Sequence, residues 1–294
     1  MSERPPALAV RFWGVRGSVP APGSATVRYG GNTPCVELRA ADGRRLVLDA
    51  GTGLRALGDA LLAESNVPAA VDVLVTHGHA DHVHGLPFFA PLARGEVQLA
   101  VWASPPSAEG VRSALAALLR PPLFPAGDGP AARLAVRELA VDDETAVGGF
   151  AVRPVAMAHP GGACGFVVRD AASGLRVAYL PDNELAAIEG ECGGRRALLE
   201  AVAGVDLLLH DATYLPSELP AHRGWGHSSY AEAVRLAADA GVRRLALFHH
   251  HPSRDDAAVD RLLHVAQRVA AAGRGGGPEV TAAAEGEELG LGAR

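Results

Sequence analysis

With 294 residues, 48% of them apolar, the chain is long enough for one large α/β domain or two ordinary ones and rich enough to bury a core. Acids outnumber bases 33 to 27, and the formal charge of −6 argues against a surface that grips nucleic acid throughout, though not against a local phosphate site. All 27 basic residues are arginine, so chemistry that needs a lysine, such as a Schiff base or a Walker phosphate loop, is excluded.

Short apolar, β-branched runs bounded by Gly, Pro and Asp predict strands. In chain order the first are Leu8–Trp13, Cys35–Arg39 and Arg45–Leu48. Leu54, Leu57, Leu61 and Leu62 then share one helical face. Strands follow at Val71–Thr76 and Val97–Trp102, and a second helical face at Val111, Leu115, Leu118 and Leu119. Pro121–Pro130 is dense in Pro and Gly and reads as a loop of the kind that borders active sites. Further strands are predicted at Leu134–Leu139, Phe150–Ala156, Gly165–Arg169, Arg176–Leu180, Val205–His210 and Arg244–Phe248. Ala233, Val234, Leu236 and Ala237 mark a third helix, with Ser228–Ser229 as N-cap and Gly241 as stop. Arg254–Ala272 reads as a last long helix, and the glycine-rich Gly273–Gly277 leads to a final strand around Glu279–Ala284. No repeat or long linker interrupts this order. It suits two packed sheets with helices outside, in one domain over residues 1–294.

Cys35, Cys164 and Cys192 are scattered, with no C-x-x-C, which fits a reducing compartment and offers no thiolate zinc site. The N-terminal MSERPPALAV has no apolar signal region, and no apolar run approaches the roughly 20 residues of a membrane span. The expectation is a cytoplasmic protein with no membrane partner.

The sharpest feature is Thr76-His77-Gly78-His79-Ala80-Asp81-His82, which follows a buried strand. Three imidazoles and a carboxylate within six residues are what Zn²⁺, Mn²⁺ or Fe²⁺ bind in water-accessible sites. A solvated polar loop is the bland alternative, and a lone histidine would favour it. Four donors are more than one catalytic ion usually takes from so short a loop, so two ions can be served.

That heptapeptide, continued by Val83-His84-Gly85-Leu86-Pro87, resembles the signature of the metallo-β-lactamase superfamily. The D-H-x-x-G-L-P continuation most resembles its phosphodiesterase branch, with ribonuclease Z and the cyclic-nucleotide phosphodiesterases. Further pieces stand in the family's order: Leu48-Asp49-Ala50-Gly51-Thr52-Gly53, His159, Asp182 in Tyr179-Leu180-Pro181-Asp182, Asp211-Ala212-Thr213, Gly226-His227-Ser228-Ser229, and His249 after Leu245–Phe248. The resemblance spans about Phe12 to His251 and implies a four-layer αββα fold.

It also implies a dinuclear centre. His77, His79 and His159 would hold one divalent ion, and Asp81, His82 and His249 the other. Asp182 and a water-derived hydroxide would bridge them. Zinc is the ion the resemblance favours, with manganese and iron as alternatives. Asp81, His227 and Asp211 are the expected catalytic residues: His227 as proton donor or charge stabiliser, Asp211 orienting it. Caps and loop braces are the bland reading of the last two. Asp49 would brace the metal loop. Of the run His249–His251, His249 matches the expected spacing better than His250. His84, His210 and His264 read as structural or surface residues, His222 as a loop residue that could face substrate but that nothing selects, and Asn32 as either a substrate amide or a turn residue.

The function expected is hydrolysis of a phosphodiester by attack of the bridging hydroxide. Ribonuclease Z itself is disfavoured. It grips tRNA with a long arm usually inserted between the third histidine and the bridging aspartate, but only 23 positions separate His159 from Asp182. A small phosphodiester is expected instead: a cyclic nucleotide, cyclic phosphate or short oligonucleotide, with no long nucleic acid. A homodimer is an assembly implied by resemblance alone. Acyl hydrolysis, as in lactonases and thioesterases, shares H-x-H-x-D-H but leaves G-H-S-S unexplained. A non-catalytic metal-binding sensor is the third reading, and intact ligands at every expected position weigh against it.

Overall fold

Period-two patterning arranges the strands into two seven-stranded sheets. The computed structural model describes residues 6–125, 134–141, 143–188, 194–273 and 276–292. Residues 126–130 of the Pro121–Pro130 loop, Cys192 and residues 274–275 of the glycine run lie outside this set.

The chain opens with β1 (Leu8–Gly14), β2 (Cys35–Ala40), β3 (Arg45–Leu48), α1 (Gly53–Leu62) and β4 (Ala70–Leu74). Two single-turn helices, α2 (Ala80–Val83) and α3 (Ala90–Ala93), lead to β5 (Gln98–Ala103), α4 (Ala108–Leu118) and β6 (Leu134–Glu138). The second half contains β7 (Thr145–Val147), β8 (Phe150–Met157), β9 (Ala163–Asp170), β10 (Arg176–Leu180), α5 (Gly194–Val202) and β11 (Leu207–Asp211). It ends with α6 (Tyr230–Asp239), β12 (Arg244–Phe248), α7 (Asp256–Ala271), β13 (Glu279–Ala282) and β14 (Glu288–Leu291). One sheet runs β14-β1-β2-β3-β4-β5-β6, the other β13-β12-β11-β10-β9-β8-β7.

Three apolar layers separate four layers of structure. Between the sheets, Leu8, Val10 and Phe12 of β1 face Val177, Tyr179, Leu207, Leu209, Ala246 and Phe248. The alternate residues Ala178, Leu180, Leu208, Leu245 and Leu247 point outward onto α5, α6 and α7. The other sheet turns Val47, Val73, Val75, Leu99 and Val101 onto α1 and α4. Strands covered on both faces read as continuous apolar runs, which is how β10–β12 stand out in the sequence. The result is the αββα sandwich that the sequence suggests.

The predicted strands and the four longer predicted helices all form, with ends shifted by one or two residues. Ser229 caps α6 in a full capping box with Glu232, and Gly241 beyond its end takes φ +64°. Several elements have no clear sequence signal, the single-turn α3 among them. β7 is too short to show a period. β14, ELGL, carries glycine in mid-strand. α5 buries only Leu198, Ala201 and Val202 behind an arginine-rich first turn. No helix among the described residues is long and apolar enough to cross a membrane.

Strand direction positions the site. β3, β4 and β5 run parallel in one sheet, and β10, β11, β12 and β13 in the other. β8 is antiparallel to β9, itself antiparallel to β10, so β8 shares the direction of β10. The residues beyond the carboxyl ends of β3, β4, β8, β10, β11 and β12 therefore collect at the open ends of these strands, where α/β folds place ligands.

Candidate metal centre

His77 and His79 follow β4, Asp81 and His82 lie in α2, His159 follows β8, Asp182 follows β10, and His249 follows β12. These seven side chains, distant in sequence, converge. The ligand atoms of His77, His79 and His159 lie within 4.8 Å of one another, as do those of Asp81, His82 and His249. Asp182 joins both groups. With His77 and His82 it makes a third set of the same closeness, and its Oδ2 lies 3.9 Å from His159 Nε2. His82 Nε2 lies 3.3 Å from Asp81 Oδ2 and 3.1 Å from Asp182 Oδ1, and His249 Nε2 lies 3.2 Å from both oxygens.

Hydrogen bonds behind the ligands set their orientation. His82 Nδ1 bonds to Asp49 Oδ2 at 2.7 Å, which leaves Nε2 facing the cluster. Asp49 also accepts from the Thr76 amide at 2.8 Å, the Thr76 hydroxyl, and the Tyr179 hydroxyl at 2.8 Å, so its buried carboxylate is well satisfied. The Thr76 hydroxyl in turn lies 3.1 Å from His77 Nδ1. His159 Nδ1 bonds to the Gly226 carbonyl at 3.0 Å, and His249 Nδ1 to the Thr213 hydroxyl at 3.0 Å. Each brace claims Nδ1 and presents Nε2, the arrangement that fixes tautomer and ring angle in metal sites. Asp49 and His249 adopt positive φ, +59° and +58°, backbone conformations that cost energy for residues other than glycine and cluster at functional sites.

Three buried atoms of this cluster, His77 Nε2, His82 Nε2 and Asp182 Oδ1, make no hydrogen bond of good geometry; the last two meet each other at 3.1 Å, and Asp182 Oδ1 meets His249 at 3.2 Å, as close ion-pair contacts. Buried polar atoms are almost always paired. Here they belong to imidazole and carboxylate groups that converge, so the residues fit divalent cations of the kind those groups bind. The charges agree. Burial holds His77 well below the usual imidazole range, helped by the neighbouring His82. Burial opposes ionisation of Asp182, yet His249 and His82 outweigh it and hold the carboxyl well below the ordinary range. Burial also disfavours a charged His82, but Asp81, Asp182 and Asp49 together push its pKa well above normal. A proton among three carboxylates is what a cation would replace.

Beside this cluster stands a second pair. Asp211, the last residue of β11, bonds through Oδ2 to His227 Nδ1 at 2.6 Å. Its other oxygen accepts the Thr213 and Ser228 amides at 2.9 and 3.3 Å. Burial alone would lower the His227 pKa; Asp211, with Asp182 and Asp81, overcomes it and raises it to about 9. His227 stacks on His249 at 5.0 Å and meets His159 edge-on at 5.4 Å.

The remaining histidines are placed elsewhere. His250 points away from the cluster, its Nε2 bonding the Ala283 carbonyl at 2.9 Å. His210 is buried against the Asp211 carbonyl, while His84 and His264 are exposed. Asn32 is not a free amide. It bonds Glu285 through its backbone and side chain, and its oxygen accepts from Thr52 at 3.0 Å.

Two supports were not legible in the sequence. The Ser18 amide donates to Asp81 Oδ2 at 2.7 Å, and a Cβ on Gly17 would lie 2.3 Å from the His249 ring. Glu184 receives the Gly224 and Gly226 amides at 3.0 and 2.9 Å, and so fixes the loop before His227. Both act through backbone, which no residue pattern announces.

A family model described as the beta-lactamase superfamily domain matches residues 44–250, a span that holds every side chain of the cluster. The chain belongs to the β-lactamase superfamily. Among curated superfamily relatives, a ribonuclease Z of Saccharolobus islandicus is 40% identical over 96 residues, 33% of this chain and 28% of the relative. The match thus spans little more than a quarter of that relative's length. The metallo-β-lactamase fold protein YhfI of Bacillus subtilis superposes with a TM-score of 0.68 at 19% identity, covering 97% of this chain and 99% of its own. The short form of human tRNase Z does so at 0.62 and 21%, covering 96% and 99%. At these identities the superpositions speak for the fold.

Proposed function

We propose that this superfamily member is a metal-dependent phosphodiesterase acting on a small phosphodiester in the cytoplasm. The carrying observation is the Asp211–His227 pair set beside a cluster of donors suited to two divalent ions, for which zinc is our choice. His77, His79 and His159 would hold one, Asp81, His82 and His249 the other, and Asp182 would lie between. Two such ions would make an attacking water a stronger acid, easing its loss of a proton, and would supply a positive field for the phosphoryl oxygens.

The chain's own groups complete the chemistry. Asp211 holds His227 by Nδ1, which leaves Nε2 to carry a proton to a departing alkoxide or to offset charge on a phosphoryl oxygen. The pKa near 9 keeps that proton on the ring at neutral pH. Asp49, Thr76 and Thr213 hold the ligand imidazoles in orientation. Acyl hydrolysis would leave the Asp211–His227 pair without a task. A small substrate is supported by the path from His159 to Asp182, which is filled by a turn, β9 and β10, with no inserted arm.

The test is a panel of bis(p-nitrophenyl) phosphate, cyclic nucleotides, a thioester and a lactone, assayed with zinc or manganese and with metal content measured. Turnover of phosphodiesters with close to two ions per chain is expected. Ester turnover without any phosphodiester turnover would refute the proposal, as would clearly less than one ion per chain after metal-replete expression.

A further inference from the structure

The loop that delivers His227 carries an element that neither metal binding nor proton transfer uses. Its sequence is His222-Arg223-Gly224-Trp225-Gly226. The chain has three tryptophans, and two are tied down: Trp13 donates to Glu37 at 3.2 Å and Trp102 to Asp72 at 2.6 Å. Trp225 is 59% exposed. Leaving so large an apolar ring in water forfeits the burial that the other two obtain.

The exposure is enforced by a rigid mount. The Trp225 amide closes a turn onto the His222 carbonyl at 3.2 Å. Buried Glu184 clamps the amides on either side of Trp225, those of Gly224 and Gly226. Both glycines take positive φ, +78° and +82°, and a Cβ on Gly226 would lie 2.1 Å from His159 Nδ1. The indole is thus held one residue from the carbonyl that orients His159 and two residues from His227. An aromatic wall extends from it: His222 meets Trp225 edge-on at 5.0 Å and stacks on Tyr214 at 4.2 Å, and Tyr214 meets His227 edge-on at 5.8 Å. A cavity of about 440 Å³, lined by His159, Gly224, Glu184 and Met157, among others, shares Gly224 and Glu184 with this mount. Exposed Arg223 adds a cation to the same loop.

We infer that Trp225 is a stacking platform for a nucleobase, so that the preferred substrate is a nucleoside-bearing phosphodiester and not a base-free cyclic phosphate. The inference rests on the phosphodiesterase reading for the phosphate and on the loop for the base. Every nucleobase offers a π-face, so the platform selects for the presence of a base more than for its identity. Stacking on one aromatic ring contributes about 1–3 kcal/mol, which is roughly a fivefold to hundredfold effect on affinity.

The test titrates the metal-loaded protein with adenosine 5′-monophosphate and, as the base-free control, ribose 5-phosphate, reading tryptophan fluorescence and calorimetric affinity. The nucleotide should quench emission and bind at least about tenfold tighter than ribose 5-phosphate. Trp225→Ala should abolish the quench and reduce the nucleotide to the affinity of ribose 5-phosphate, while Trp225→Phe should retain most of the preference. Equal affinity of the two ligands for the unaltered protein would overturn the inference, as would unchanged nucleotide binding by Trp225→Ala. The two proposals fail separately. Turnover of adenosine 2′,3′-cyclic phosphate and ribose 2′,3′-cyclic phosphate with equal kcat/KM removes the platform alone. Nucleotide binding through Trp225 without turnover of any phosphodiester removes the phosphodiesterase reading alone.

Discussion

Asp211→Asn separates the proposed proton-handling pair from the proposed metal ligands. Asparagine keeps an oxygen for the Thr213 and Ser228 amides, which Asp211 Oδ1 accepts at 2.9 and 3.3 Å, so the loop keeps its braces. At the other position a carboxylate oxygen becomes an NH₂ facing His227 Nδ1. The ring must then present Nδ1 as an acceptor, which inverts its tautomer and removes the charge that kept it protonated. With Asp211 present the His227 pKa is about 9 against an ordinary 6.5. Loss of the whole difference would be about 3 kcal/mol. Burial, the largest influence on this ring, is then opposed only by Asp182 and Asp81, so the pKa falls. At pH 7.5 the protonated fraction should fall from nearly complete. A lost general acid costs on the order of 10²–10⁴-fold in rate. The assay is kcat against pH with a phosphodiester whose leaving group needs protonation, alongside metal content. In the unaltered protein activity should decline as pH rises through about 9, as His227 gives up its proton. In the variant that decline should move to lower pH, with both ions retained. An unmoved alkaline limb and an unchanged kcat would refute the pairing argument.

Gly17→Ala places a Cβ 2.3 Å from the His249 ring, so His249 must shift; metal analysis should show loss of one ion, with activity reduced on the order of 100-fold. Metal uptake should release protons, because the carboxylates around His82 hold a proton that a cation displaces. Calorimetry in buffers of different ionisation enthalpy measures that release, and affinity should rise with pH; identical heats in all buffers would contradict it. His250, buried and neutral, has its pKa lowered to about 4 from 6.5. Its folded pKa lies below the unfolded one, so its contribution is present above pH 6.5 and is lost as pH falls toward 4, by up to about 3 kcal/mol. His250→Gln should flatten the dependence of Tm on pH across that window, and an unchanged slope would exclude His250 as its source.

Much of the fold was legible because burial on both faces leaves strong local patterns. The runs of β10, β11 and β12 are apolar at every position that meets a core, and the α6 cap is a local hydrogen-bond motif. Elements whose formation depends on partners were not legible: β7 and β14 are strands because β8 and β1 supply their hydrogen bonds.

The site divides the same way. Taken alone, the sequence determined the chemistry available: a histidine–aspartate loop after a buried strand, further donors at later strand ends, arginine as the sole fixed cation, and no thiolate pair. Which donors meet was decided only by the tertiary structure. His249 and His250 are adjacent and chemically identical. The positive φ at His249 turns one ring toward Asp81 and Asp182, and leaves the other bonded to the Ala283 carbonyl. Likewise the Ser18 amide, the Gly17 gap and the Glu184 clamp are backbone features. Their effect depends on where distant segments are brought by packing, and packing is a property of the whole chain rather than of any stretch of it.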